Sequence, residues 1–195
     1  MVTIRKSHPK DAKKASKLMF DAMDWLGNLF QFNSLKSTRL IEKLYLKPNT
    51  RFSHEHTHVV EIDGEVAGIL TTAAGSKLDR FNLSAALNSV SFLGFKTIKN
   101  VLKHAGPLLK TKEALADEYY ITTLSVDSKF RGKGIGTKLL DLAEQLAIDN
   151  GYLKCSLTVD ASNEKARRLY NQLGYVEQHQ YKLMHYTFVR MVKPL

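Results

Sequence analysis

The chain has 195 residues, 44% of them hydrophobic and 25% charged, and a formal net charge of +10. That balance excludes a disordered chain, no apolar run is long enough to cross a bilayer, and the length predicts a single domain over residues 1–195 with an ample core. The one cysteine, Cys155, excludes an internal disulfide, and an N-terminus that is charged and periodic at once lacks a signal-peptide pattern, so a cytoplasmic protein is expected.

Residues 2–6 alternate like an edge strand, and Pro9-Lys10-Asp11 opens a helix expected to run to Leu26. A shorter helix follows over residues 35–46. Residues 58–62, the turn Asp63-Gly64 and residues 65–73 read as a β-hairpin, because Asp-Gly supplies the positive φ angles of a tight turn. His54, His56 and His58 alternate and invite a metal reading. Without spaced Cys or carboxylate ligands they read instead as solvated edge histidines, and no metal is expected.

Residues 77–117 form a long segment of helical pattern. Leu83, Ala86, Leu87 and Val90 fall on one face, continued by Phe92, Phe95, Ile98, Val101 and Leu102 against Lys96, Lys99 and Lys103. No acidic residue occurs from position 80 to 112. The expectation is an extra helical element packed on the core with solvated lysines, acting as a lid or acceptor-site wall.

Residues 119–126, rich in aromatic and β-branched side chains, predict a central strand. After Asp127-Ser128-Lys129-Phe130 comes Arg131-Gly132-Lys133-Gly134-Ile135-Gly136-Thr137, a glycine-rich turn that opens a helix ending at Asn150-Gly151. Such a turn suits a phosphate. Glycine lets the backbone approach an anion and aim successive N–H groups at it, and the helix adds its positive end. The spelling is not Walker A, since Gly136 is followed by Thr137-Lys138 in the wrong order, nor the dinucleotide fingerprint, since only Ile135 separates Gly134 from Gly136.

Residues 153–159 alternate as another strand, and residues 160–175 carry Ala166, Leu169, Tyr170 and Leu173 on one helical face. Asp160 or Ser162 is the expected cap and Gly174 the stop. Strands over 176–183 and 186–192 close the sheet.

Two of these blocks, Arg-x-x-Gly-x-Gly at 131–136 and Asn-x-x-Ala-x-x-Leu-Tyr-x-x-x-Gly-Tyr at 163–175, resemble the two signature segments of the GNAT superfamily of acyl-CoA-dependent N-acyltransferases. The resemblance covers nearly the whole chain apart from residues 77–117. It implies an α/β (α+β) fold with a mixed, mostly antiparallel central sheet flanked by helices, and a helical insertion before the fourth strand. It also implies acetyl-CoA as co-substrate, with direct acetyl transfer to a primary amine of a small molecule or peptide.

By the same resemblance, Leu124, Ser125 and Val126 would pair with pantetheine and help polarise the thioester. Arg131 and the amides of Gly132, Lys133, Gly134, Ile135, Gly136 and Thr137 would hold the pyrophosphate. Asn163 would touch the pantetheine arm, and Tyr170 would protonate the leaving thiolate. The general base has no match: where some family members place a glutamate, this chain has Tyr120. Glu118 shares the face of Tyr120 by the strand period and is a second candidate acting through water. Other readings are a non-catalytic acyl-CoA-binding regulator and a basic ribosome- or RNA-associated acetyltransferase. The aromatic residues are not interleaved with the basic ones as a base-stacking platform requires, so nucleic acid is not the expected partner. The acceptor is unidentified, and a homodimer is left open.

Overall fold

The computed structural model describes residues 2–23, 25, 27, 32–93, 112–183 and 185–195. Seven strands form one sheet in the order β1-β2-β3-β4-β5-β7-β6. They are β1 Val2–Lys6, β2 Thr57–Ile62, β3 Glu65–Ala74, β4 Tyr119–Val126, β5 Lys154–Asp160, β6 Val176–Leu183 and β7 Tyr186–Pro194. Every neighbouring pair is antiparallel except β4 with β5. The expected mixed, mostly antiparallel sheet is therefore present.

Five helices are described: α1 Ala12–Ala22, α2 Ser34–Tyr45, α3 Leu78–Ser89, α4 Ile135–Asp149 and α5 Glu164–Gln172. Residues 66–73 of β3 are buried without interruption, because both faces of the sheet are covered. Val59, Val66 and Ile69 pack with Leu18, Met19, Leu40 and Leu44 of α1 and α2. Their strand neighbours Val60, Ala67 and Leu70 pack with Leu139, Leu140 and Ala143 of α4 on the opposite face. Burying Leu139 or Leu140 completely contributes about 1.5–3 kcal/mol each. The β2–β3 hairpin turns on Asp63 and Gly64, both at positive φ (50° and 82°), as the Asp-Gly pair requires.

Several local expectations need correction. The first helix ends at Ala22 and not at Leu26, which lies outside the described residues. Met23 leaves helical geometry at φ −136°, ψ 44°, and its sulfur accepts from Thr123 Oγ1 of β4 at 4.0 Å. The cap of α5 is Asn163, whose Oδ1 accepts from the Ala166 N–H at 3.1 Å. Asp160 instead accepts from the Ser162 N–H and Oγ, at 2.8 and 2.6 Å, which shapes the turn before the helix.

In the insertion, α3 buries Leu78, Phe81, Ala85 and Ser89, while Leu83, Leu87 and Val90 are 62%, 65% and 52% exposed. The buried face is therefore not the one that periodicity selects. Phe92 does pack on the core, edge-on to Phe32 at 6.2 Å, with the Lys43 ammonium 4.7 Å over its ring. Phe95, Ile98, Val101, Leu102 and the lysines 96, 99 and 103 lie outside the described residues.

His54 and His56 share a 3-10 turn, and only His58 lies on β2. His56 stacks on Phe81 at 4.7 Å, and burial lowers the pKa of both His56 and His58. They are half-buried packing groups, not solvated ones. Among the described residues no three His, Cys, Asp or Glu side chains converge as a metal site would need.

The two ends of the insertion are fastened together beside β4. The Gly75 N–H donates to the Glu118 carbonyl at 2.8 Å, and a Cβ on Gly75 would overlap the Leu115 carbonyl. The Glu118 carboxylate accepts from the Leu115 N–H at 3.0 Å and from Arg190 of β7, both side chains being almost fully buried. We expect Gly75→Ala to lower stability by about 2 kcal/mol or more, since the opposing group is backbone and cannot step aside. Gly136→Ala, whose Cβ meets nothing within 4 Å, is the control and should be neutral or slightly stabilising. Denaturant midpoints that coincide for the two variants would contradict the close approach at Gly75.

Candidate active site

The strands β4 and β5 pair over three positions only, Tyr119 with Cys155, Tyr120 with Ser156 and Ile121 with Leu157. Beyond them β4 stays with β3 as far as Val126, and β5 stays with β7 as far as Asp160. The sheet opens between the two. The gap deepens into a cavity of about 370 Å³ lined on one side by residues 121–124 and on the other by residues 157–160.

Backbone groups of a strand alternate in direction, so successive residues face β3 and the gap in turn. The Asp127 N–H donates to the Ala67 carbonyl at 2.9 Å, and the Ser125 carbonyl also faces β3, 3.1 Å from where a Cβ on Gly68 would lie. By that alternation Leu124 and Val126 present their backbone groups to the gap. Of the three residues expected to meet pantetheine through their backbone, Ser125 points the other way.

At the open end sits the glycine turn. Gly132 and Gly134 adopt φ 77° and 72°, a region that disfavours any side chain, and a Cβ at either would stand in open space. Gly134 caps α4 without a side-chain partner, and the first helical N–H to find a carbonyl is that of Lys138, donating to Gly134 at 3.1 Å. The amides of residues 135–137 precede it and so lack intrahelical acceptors, and no acidic side chain lies in the first turn to compete for them. This cradle suits a pyrophosphate.

Arg131 closes one side, its Nε donating to the Val126 carbonyl at 3.0 Å. Asp127 caps the short turn before it by accepting from the Lys129 N–H at 3.0 Å. Lys14 of α1 grips Asp127 at 2.5 Å, and that hydrogen bond, more than any other influence, holds the Asp127 carboxyl down at about 2. The turn is thereby braced against α1.

Tyr170 projects from α5 into the cavity, beside Tyr175 at 6.0 Å between ring centres. Burial pushes its hydroxyl up to about 12, so it keeps its proton at neutral pH. Asn163 also lines the cavity while its Oδ1 serves the helix cap. These two line the same cavity as Leu124, and the glycine turn follows the end of β4, the strand that carries Leu124.

The two base candidates separate. Glu118 is 1% exposed, committed to Arg190 and the Leu115 N–H, and is absent from the cavity lining. Tyr120 does line the cavity, but its hydroxyl donates to Glu113 Oε2 at 2.8 Å. Burial first, then the Glu113 charge, hold the Tyr120 pKa well above its ordinary value. It is a donor in this setting.

Glu113 and Arg51 also line the cavity, and sequence reasoning missed both. Arg51 donates from both terminal nitrogens to the two Glu113 oxygens at 2.8 Å each. Burial would raise the Glu113 carboxyl, but Arg51 and the Tyr120 hydroxyl override it and hold the pKa below its ordinary value. The only signals available were single charged residues 62 positions apart, which no local pattern links.

Valine at Gly134 would combine a disfavoured φ with a side chain in the space an anion must occupy. We expect Gly134→Val to abolish measurable acetyl-CoA binding in calorimetry while the protein remains folded by circular dichroism. Undiminished affinity would remove the turn from the binding site.

Comparison with other proteins agrees with this geometry. The profile described as Acetyltransferase (GNAT) family matches residues 19–175. A GCN5-related N-acetyltransferase 4 of Arabidopsis thaliana chloroplasts is 31% identical over 102 residues, which are 51% of this chain and 34% of that protein. N-alpha-acetyltransferase 30 of Xenopus laevis is 40% identical over 57 residues, 29% of this chain and 21% of that one. The chain thus matches 34% of the length of the first of these relatives and 21% of the second. Among solved structures, an N-acetyltransferase from Staphylococcus aureus Mu50 superposes with a TM-score of 0.78 at 28% identity, covering 97% of this chain and 99% of that one. A PaiA N-acetyltransferase from Thermoplasma acidophilum, solved with coenzyme A, shares the fold at a TM-score of 0.59 and 14% identity, covering 100% and 99%. The chain belongs to the GNAT family of acetyltransferases, which use acetyl-CoA as co-substrate.

Proposed function

We propose that the protein is an N-acetyltransferase that moves the acetyl group of acetyl-CoA directly to a primary amine. The observation that carries this reading is the split sheet: Leu124, Asn163 and Tyr170 line the gap that opens after three parallel β4–β5 pairs, and the glycine cradle opens the helix that follows β4. In this reading Arg131 and the amides of residues 132–137 hold the pyrophosphate. The edge of β4 aligns the pantetheine arm like a further strand, and Asn163 flanks it.

The amine then attacks the thioester carbonyl. The C–N bond forms, the C–S bond breaks, and the thiolate leaves with a proton from Tyr170, which regains one from solvent. The attacking amine gives up its own proton to water in the cavity. Neither Tyr120, which bears its proton, nor Glu113, held below its ordinary pKa by Arg51, suits the part of base.

Loss of a positioned acid typically costs about a hundredfold or more in rate. Tyr170→Phe should therefore lower kcat by about that factor and leave the acetyl-CoA dissociation constant within about threefold. Because its folded pKa is raised to about 12, Tyr170 carries its proton at every lower pH, and any fall in rate from its ionisation belongs near pH 12. Unchanged kcat in the phenylalanine variant, with chemistry shown to be rate-limiting by rapid quench, would return Tyr170 to a packing role.

A further inference from the structure

The cavity's charge is inverted relative to the chain. The sequence carries +10 overall, and the glycine turn is flanked by Lys129, Arg131, Lys133 and Lys138. Yet among the described residues the cavity is lined by three carboxylates, Asp21, Glu113 and Asp160, against one guanidinium, Arg51. That guanidinium is spent, since both its terminal nitrogens are engaged by Glu113. Among the described residues, no cation lining the cavity remains to receive an anionic substrate.

The carboxylates alone would not define a site; the wall between them does. Phe188 packs edge-on to Trp25 at 5.9 Å and tilts against Tyr181 at 5.6 Å, and all three line the cavity. Phe188 also stands opposite Asp160 in the β5–β7 register. Asp21, exposed at the mouth on α1, has no ion-pair or hydrogen-bond partner among the described residues. Among the described residues Asp160 uses one of its oxygens, toward Ser162. Aromatic faces flanked by available carboxylates attract an ammonium group through both ring quadrupole and charge, more strongly where water is thinned out.

We propose that the acceptor is a small aliphatic amine carrying a second cationic centre, with the second centre held by Asp21, Asp160 and the rings of Trp25, Tyr181 and Phe188. This rests on the transferase reading above and adds the substrate class. The second ammonium anchors at the carboxylates while the first, as free amine, reaches the thioester near Tyr170. A carboxylate-bearing amine meets like charge at Asp21 and Asp160 and, among the described residues, no available cation, so it is rejected by repulsion as well as by lack of attraction.

The test compares initial rates of thiol release with propane-1,3-diamine, propylamine and β-alanine under saturating acetyl-CoA. We expect kcat/KM for the diamine to exceed that for propylamine by about tenfold or more, with β-alanine the poorest. Asp21→Asn, a change at an exposed position, should cut the diamine-to-propylamine ratio by about five- to tenfold and leave acetyl-CoA affinity unaltered. Asp21→Asn combined with Phe188→Leu should remove most of the remaining preference. Equal kcat/KM for diamine and propylamine, a preference for β-alanine, or a ratio unmoved in Asp21→Asn would overturn the acceptor class and leave the transferase reading standing. No thiol release from any amine, with acetyl-CoA still bound in calorimetry, would overturn both.

Discussion

Parallel pairing between β4 and β5 stops after three residues, and the site depends on that interruption. Each half of the sheet is complete in itself. β1 to β4 form one antiparallel block and β5, β7 and β6 another, each held along its length by its own ladders. Continued pairing would close the gap. Splaying instead leaves backbone donors and acceptors on the inner edge of β4 facing a cavity, where an unmet group costs about 1–3 kcal/mol if buried. An extended, amide-bearing ligand lying in the gap can meet them, and strand-like addition to a free edge is an efficient way to hold it.

Around this gap the charge of the molecule is divided. Arginine, lysines and unsatisfied helical amides crowd the turn at its open end, while the cavity is lined by carboxylates and aromatic rings. Each end is fixed by contacts distant in sequence. Lys14 of α1 holds Asp127 at the root of the turn, and Arg51 holds Glu113 at the floor of the cavity. The Arg190–Glu118 pair, deeper still, ties β7 to the start of β4 and keeps the two half-sheets together where they do meet. Buried pairs of this kind add little net stability, but losing one partner strands the other charge, so they enforce a single arrangement.

How far the sequence could be read follows from which features are local. The hairpin at Asp63-Gly64, the glycine turn and the helix carrying Tyr170 all announce themselves within a dozen residues, because backbone conformation and periodicity are local properties. The face of α3 was not legible: apolar residues occupy two of its sides, and only contact with the sheet selects Leu78, Phe81 and Ala85 over Leu83 and Leu87. Glu118 looked available by strand period, yet it lies just before β4, where Arg190 from a strand 72 residues away captures it. The Arg51–Glu113 pair left no trace in local pattern, since its two halves belong to different irregular segments. Ser125 shows the same limit in reverse, for the alternation that turns it toward β3 becomes visible only once β4's partner is known.

Amide hydrogen exchange with and without acetyl-CoA tests most directly the claim that the split edge and the glycine turn together hold the co-substrate. The expected result is slowed exchange at residues 122–126 and 132–138, with the β6–β7 hairpin unaffected. Slowing at the β6–β7 hairpin with no change in β4 or the turn would place acetyl-CoA elsewhere and contradict the account.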